Sequence, residues 1–375
     1  PLNAEADIMA CKILNAKGSP ETNIKGNIII NNAQVLAQAN PSIDLTKLAL
    51  EVTLTEGANI SPDPARVMDY SHPQKFTVTS EDGNWHKEYS VIIDTFDLPL
   101  RYDFEHYELN ETGKYQVFFE ETQGTALFKQ YIWASGNSGF ALTGVGRNPQ
   151  EYPTVSIENG IDGSRAIKLE TKSTGQFGET VKMPIAAGNL FLGSFDVNNA
   201  VQKPLKATLF GLPFGKKPLK FKGYYKYVPG TQSFKAKDKN GNTVTISRQE
   251  DEGDIYAVLY EAAGLDGKVL DGNNVLTSKN IVALARVEVE KTDRYIEFET
   301  SFQYGERKEI SWPQFIYRDP SDDGTGKYLR FSEEKMKNYE YNLAVVFTSS
   351  KYGAYFAGSV GSTLCIDKVE IVCEK

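Results

Sequence analysis

The sequence predicts an all-β protein of two modules, an immunoglobulin-like β-sandwich over 1–95 and a larger jelly-roll β-sandwich over 96–375. Three observations predict it. Helical periodicity is scarce in the 375 residues. Short β-rich runs separated by Gly, Asn and Asp turns fill nearly all of the chain. A Pro-containing junction, Asp94-Thr95-Phe96-Asp97-Leu98-Pro99, interrupts that rhythm between a short first part and a long second one.

The first module combines short strands with a Ser61-Pro62-Asp63-Pro64 break and a closing strand at 88–93, the rhythm of an immunoglobulin-like sandwich. Lys75-Phe76-Thr77-Val78-Thr79 and Glu88-Tyr89-Ser90-Val91-Ile92-Ile93 flank the turn composition Glu81-Asp82-Gly83-Asn84 and predict a hairpin. In the second module Phe234-Lys235-Ala236-Lys237 and Thr243-Val244-Thr245-Ile246 flank Asn240-Gly241. That pair tolerates positive φ and predicts a type I′ hairpin. Ser332 is placed to cap a short helix over Glu333-Glu334-Lys335-Met336-Lys337. The remainder, long Gly/Asn/Asp loops between strands, suits a two-sheet jelly roll.

Composition excludes several functions. With 41 basic and 49 acidic side chains the net charge is −8, and no Lys/Arg cluster offers nucleic acid an electrostatic footprint. No stretch approaches the roughly 18–20 uncharged apolar residues of a membrane-spanning helix. His72, His86 and His106 are isolated, which rules out an HExxH or two-His metal site. Cys365 and Cys373 share an apolar run; on one strand they lie about 26 Å apart, beyond the disulfide reach of about 7 Å, so free, buried thiols are expected. Residues 1–7 contain neither a basic n-region nor an apolar h-region, and Ile8-Met9-Ala10-Cys11 imitates a lipobox with nothing apolar before it.

Catalytic signatures are incomplete. Gly136-Asn137-Ser138-Gly139 lacks the G-x-S-x-G spacing, and His106 is the one histidine of the larger module. Gly324-Thr325-Gly326-Lys327 lacks the first P-loop glycine and carries Tyr328 where Ser or Thr is required. Asp319-Pro320-Ser321-Asp322-Asp323-Gly324 begins like an EF-hand loop, but Arg330 occupies the position of the bidentate carboxylate, so it reads as an acidic turn. Glycoside hydrolysis needs only two suitably spaced acids. Asp254, Glu261, Glu297 and Glu299 lie in strand-like segments, and spacing singles out no pair among them.

Strand parity points to recognition instead. In Asp254-Ile255-Tyr256-Ala257-Val258-Leu259-Tyr260-Glu261 one face carries Asp254, Tyr256, Val258 and Tyr260, and the other carries an ordinary core set. Trp133 shares a face with Tyr131 and Ser135, and Tyr225 shares one with Tyr227. Aromatic rings among polar neighbours suit sugar, whose C–H faces stack while its hydroxyls hydrogen-bond; the same rings equally serve as cross-strand packing. The candidate carbohydrate-binding set is therefore Trp133, Tyr225, Tyr227, Tyr256 and Tyr260 for stacking, with Asn137, Asp254 and Glu261 as polar partners. Glu261 has the opposite parity. A second candidate site follows from topology: the first and last strands of a jelly roll commonly pair, which would bring Glu105 toward Asp367 as ligands of a structural Ca²⁺, or leave both as solvated strand-end carboxylates.

Several separated segments together resemble the putative carbohydrate metabolism domain family: Trp133-Ala134-Ser135-Gly136-Asn137-Ser138-Gly139-Phe140, the run 187–195, Gly223-Tyr224-Tyr225-Lys226-Tyr227, the strand 254–261 and the closing run 349–364. The resemblance spans about 97–375, and 69–83 is similar to a bacterial surface module that precedes such domains. It implies a jelly roll like those of carbohydrate-binding modules, a secreted or surface lipoprotein, and a signal peptide with a lipidated cysteine upstream of Pro1. It supplies no catalytic residues. The expected function is an outer-membrane-anchored surface or periplasmic protein binding an oligo- or polysaccharide through its larger module without cleaving it. The alternatives are a glycoside hydrolase using a carboxylate pair in the same groove, and a non-catalytic assembly or adhesion protein.

Overall fold

A computed structural model describes residues 2–122 and 128–375. The chain divides into two compact units, and the structure is all-β apart from short helical turns. Among the described residues no helix is long and apolar enough to cross a membrane.

The first unit runs to Leu98. Its larger sheet has the order Ile24–Asn31, Gln34–Ala39, His86–Asp94, Gln74–Thr79, Asn59–Ser61, while Ile8–Asn15 pairs separately with Leu48–Leu54. Alternation builds the core: Val35, Ala37 and Ala39, Phe76 and Val78, and Tyr89, Val91 and Ile93 meet Ile8, Ile13, Leu48 and Leu50. Each large apolar side chain so buried contributes about 1.5–3 kcal/mol. The hairpin expected around Gly83 forms, with Phe76 opposite Tyr89. The segment Glu121–Tyr131 also belongs to this unit. Its backbone is held by the Gln34 side chain, which donates to the Lys129 carbonyl at 2.8 Å and accepts from the Tyr131 N–H at 3.1 Å. Nothing in the sequence pattern announces that excursion, because the tie is a side-chain amide and not a periodicity.

The second unit packs two antiparallel sheets. The larger has the order Leu270–Asp271, Thr208–Phe210, Asn189–Phe195, Tyr341–Thr348, Asp254–Glu261, Ile281–Val287, Gln303–Tyr304. The smaller has the order Thr154–Ile157, Ala166–Glu170, Thr363–Cys373, Pro218–Val228, Thr292–Ser301. Arg101–Tyr102 pairs with Thr363–Cys373, so the first and last strands do meet. Phe221 of the smaller sheet lies 6.2 Å from Phe347 of the larger, and Trp133 lies 6.2 Å from Phe347 and 5.1 Å from Tyr102.

Local expectations fare differently. Lys235–Lys237 and Thr243–Thr245 form the expected hairpin, but its turn is not type I′. Only Gly241 of the Asn-Gly pair has positive φ (77°), because Asp238 Oδ1 accepts from both Asn240 N and Asn242 N at 2.8 Å and holds a wider loop. Ser332 caps the expected helix, accepting from Lys335 N at 3.3 Å. The three cysteines are free, and burial pushes the thiols of Cys11 and Cys373 up to about 12 and about 11.

Candidate functional site

The outer face of the larger sheet is only partly covered, and a cleft of about 210 Å³ opens on it. Its floor is laid down by register. Asn189, Thr348 and Asp254 form one row across three strands, and Phe191, Val346, Tyr256 and Arg286 form the next. Period-two alternation sends all seven side chains to the same face. Two short helices, α1 (Asn137–Ala141) and α2 (Gly175–Thr180), wall the side near Asn189. Trp312, Tyr352, Tyr355 and Phe356 stand on loops at the rim.

Asp254 is 2% exposed, and Arg286 grips it bidentately, Nε donating to Oδ1 at 3.0 Å and Nη2 to Oδ2 at 2.7 Å. Two charge-assisted bonds in a fork geometry make this pair strong and directional. Among the described residues it leaves Arg286 Nη1 without a hydrogen-bond partner, a donor available to a ligand. At the rim Trp312 contacts Tyr355 edge-on at 5.9 Å and Tyr352 at 6.3 Å, and the Arg318 guanidinium lies 4.7 Å from the Trp312 ring.

The rim loop is pinned from below. Asp251 is buried, and its Oδ2 accepts from Ser350 Oγ at 2.6 Å, Ser362 Oγ at 2.7 Å and Ser359 N at 2.8 Å. Burial pushes its carboxyl up, and these hydrogen bonds oppose that shift. Between those anchors Phe356 is held at φ 56°, a left-handed conformation that costs an aromatic residue about 1 kcal/mol or more and that persists only where surroundings impose it.

The structure separates the residues the sequence singled out. Asp254 and Tyr256 line the cleft. The other rings are packing, which corrects the expectation of a stacking platform. Trp133 is 4% exposed and donates Nε1–H to Glu120 Oε1 at 3.0 Å. Tyr225 and Tyr227 are each 2% exposed; the first accepts from Glu290 N and the second donates to the Ser349 carbonyl. Tyr260 shares the cleft-facing parity, but it is fully buried and donates to the Phe210 carbonyl. Asn137 is also buried, bridging the Thr154 backbone N–H and the Gln116 and Thr154 carbonyls. Glu261 turns away to Lys335, 2.7 Å from its Nζ. Parity names a face, and the loops crossing that face decide which part of it stays open.

The carboxylates scatter likewise. Glu297 and Glu299 sit on the smaller sheet, the latter paired with Lys220 and Lys222. Among the described residues that line the cleft, Asp254 is the one carboxylate. Glu105 and Asp367 both serve the loop 160–165: Asp367 Oδ2 accepts from Ile161 N at 2.7 Å and Ser164 Oγ at 2.9 Å, and Glu105 accepts from Arg165 N at 3.1 Å. The two carboxylates are thus brought to the same loop, each already accepting from its N–H or O–H groups. Among the described residues no group of three or more His, Cys, Asp and Glu could hold a metal ion.

Reasoning from the sequence missed Arg286, Trp312, Tyr352, Tyr355 and Phe356. Two signals were legible. Arg286 is the one charge in the apolar run 281–287 and faces the one acid that opens the apolar run 254–260. Trp312 sits in a stretch between Tyr304 and Ser332 without regular elements, and loops of that length are commonly functional.

The fold is a two-sheet β-sandwich with a cleft on one face, accompanied by a separate N-terminal unit. Residues 103–372 match the family described as putative carbohydrate metabolism domain, and the chain belongs to that family. Residues 15–93 match the family described as SGBP, N-terminal. The chain is similar along its length to a crystal structure described as a putative glycoside hydrolase from Bacteroides thetaiotaomicron, with 39% identity, coverage of 100% of this chain and 98% of that one, and a TM-score of 0.79. A second, described in the same words and from Bacteroides vulgatus, has 35% identity, covers 75% of this chain and 100% of that one, and has a TM-score of 0.58. No curated protein sequence matches the chain.

Proposed function

We propose that the second unit binds a short glycan segment in the cleft above Asp254 and Arg286 and does not hydrolyse it. The observation that carries this reading is the combination of a buried, bidentate Asp254–Arg286 pair in the floor with the ring cluster of Trp312, Tyr352 and Tyr355 at the rim. Rings stack on sugar C–H faces, and the guanidinium with the Asn189 side-chain amide offers hydrogen bonds to hydroxyls. A volume of about 210 Å³ is small beside the ~300–1,000 Å³ of many ligand sites, which favours a chain end or a short oligosaccharide over a long groove-bound polymer. Modest stacking energy sets the expected Kd at about 10⁻⁵–10⁻³ M, strengthened by multivalent display. The match of 15–93 to the SGBP N-terminal family supports a place on a bacterial surface with the first unit as spacer; a lipid anchor upstream of Pro1 belongs to the same proposal.

The second reading is glycoside hydrolysis, favoured by the descriptions of the two Bacteroides relatives. Both hydrolytic geometries need a pair of carboxylates flanking the bond, whereas the lone cleft acid is already engaged by Arg286. One experiment separates the readings. A glycan array followed by calorimetry identifies ligands for the wild type and for Trp312→Ala, and the positive oligosaccharides are then incubated with protein and chromatographed. Binding that falls at least tenfold in Trp312→Ala, with intact oligosaccharide recovered, supports the proposal. Release of shorter products that stops in Asp254→Asn overturns it in favour of hydrolysis. Absence of binding across plant, host and microbial glycans overturns both and leaves an assembly role.

A further inference from the structure

The cleft is chemically two-ended, and strand order fixes the separation. From Asn189–Phe195 across Tyr341–Thr348 and Asp254–Glu261 to Ile281–Val287 there are three inter-strand steps, about 14 Å. At the far end stand Asp254 and Arg286, with Tyr352 near enough to Arg286 to feel its charge. At the near end stand the helices: Gly136 N donates to Asn189 Oδ1 at 2.7 Å, and a Cβ at Gly139 would lie 3.0 Å from Phe195 Cζ.

That near end is apolar and open. Leu142 after α1 and Phe177 in α2 line the cleft while 46% and 39% exposed, and Val145 beside them is 41% exposed. A Cβ at Gly175 would lie 3.0 Å from Val145 Cγ2, so the two helical segments adjoin and these side chains share one mouth. Val181, Ile185 and Ala200 continue the apolar lining. A bare sugar presents hydroxyls around its ring, and hydroxyls pressed against aliphatic carbon lose their hydrogen bonds to water without replacement. Unsubstituted glycan therefore accounts for the polar end and leaves the apolar end without an occupant.

Charge narrows the class further. Among the described residues, the charged groups lining the cleft are Asp254, Arg286 and Lys351. The first two neutralise each other, and Lys351 Nζ pairs with Glu252 at 2.9 Å. A uronate would have to compete with a buried carboxylate already held in the fork of Arg286.

We propose that the cleft recognises an uncharged oligosaccharide carrying a small acyl ester such as acetyl, with one sugar ring over the Asp254–Arg286 end and the acyl group, borne by a neighbouring residue of the same chain, between α1 and α2. The inference rests on the reading that glycan binds in this cleft. Burial of the two acetyl carbons corresponds to about a tenfold gain in affinity.

The test is calorimetry of the full chain with O-acetylated xylo- and manno-oligosaccharides and with the same preparations after mild alkaline deacetylation. The expected result is at least about tenfold tighter binding of an acetylated member. Phe177→Ser and Leu142→Ser should remove that preference while leaving affinity for the deacetylated sugar within about twofold, and Trp312→Ala should weaken both forms. Equal or tighter binding of the deacetylated sugar overturns the acyl assignment and spares the glycan reading. A preference for acetylated sugar that survives both serine variants also overturns the assignment, because the substituent then sits elsewhere. Binding of neither preparation, together with a silent glycan array, overturns the glycan reading and this inference with it.

Discussion

Two aromatic clusters of the second unit stand on either side of the larger sheet. Trp133, with Tyr102, Phe104 and Phe347 within about 6 Å of its ring, faces the smaller sheet. Trp312, with Tyr352 and Tyr355 at similar distances, stands on the outer face in a long loop. The two clusters have the same chemistry and nearly the same ring geometry. The difference is what covers them: the inner set is sealed by a second sheet, and the outer set borders the cleft. An aromatic cluster is thus a site only where the architecture leaves one side of it without a partner.

Substitutions can break that contrast. Trp133→Ala removes a buried ring with its hydrogen bond to Glu120 and is expected to cost about 3–5 kcal/mol, measured by denaturant unfolding, whereas Trp312→Ala, at a partly buried ring packed on the Phe234, Ile316 and Ala357 cluster, should cost clearly less and act on ligand affinity. Equal destabilisation by the two would refute the division into core and rim. Next in size is Arg286→Leu, which strands Asp254 as a buried unpaired carboxylate and is expected to cost about 2–4 kcal/mol. The double variant Asp254→Leu with Arg286→Leu should recover much of that stability while remaining unable to bind glycan. A double variant as unstable as the single would show that the pair is structural mortar and not a site feature.

A smaller effect is expected at the anchor of the rim. Asp251→Asn replaces a carboxylate oxygen that accepts three hydrogen bonds with an amide that cannot satisfy both sides, at about 1–3 kcal/mol. Hydrogen exchange should quicken selectively over 349–362, and glycan affinity should fall with Trp312 untouched. Unchanged exchange there would mean that Phe356 keeps its strained conformation without Asp251.

Much of the fold was legible because it depends on local signals. The hairpin at Gly83, the cap at Ser332, the shared strand of Cys365 and Cys373 and the pairing of first and last strands all follow from turn residues, capping chemistry and alternation. The site was half legible. Alternation placed Asp254 and Tyr256 on the correct face, but it gave Tyr260 the same face and had no means of knowing that the 270–281 segment and Tyr328 cover it. Arg286 and Trp312 reach the cleft through pairing register and a loop path, which are long-range properties. Gln34 escaped for the same reason, since an amide in a strand looks alike whether it holds water or the backbone of a segment 95 residues away.

The mildest test concerns Glu120, the partner of Trp133 on the sealed side. Burial pushes its carboxyl up to about 7, the Trp133 hydrogen bond opposes that shift, and Asp103 adds to it. The folded state therefore holds this proton more tightly than the unfolded chain, whose glutamate titrates near 4.3. Below pH 4 both states are protonated and the group is neutral in its effect. As pH rises from about 4.5 through about 7 the unfolded chain ionises freely while the folded one resists, so stability is lost across that window. Glu120→Gln keeps an acceptor for the Trp133 N–H and removes the charge. It should raise stability far more at pH 8 than at pH 5 and flatten the profile between them. A profile that keeps its slope in Glu120→Gln would place the titrating group elsewhere and show that Trp133 is less thoroughly sealed than its packing implies.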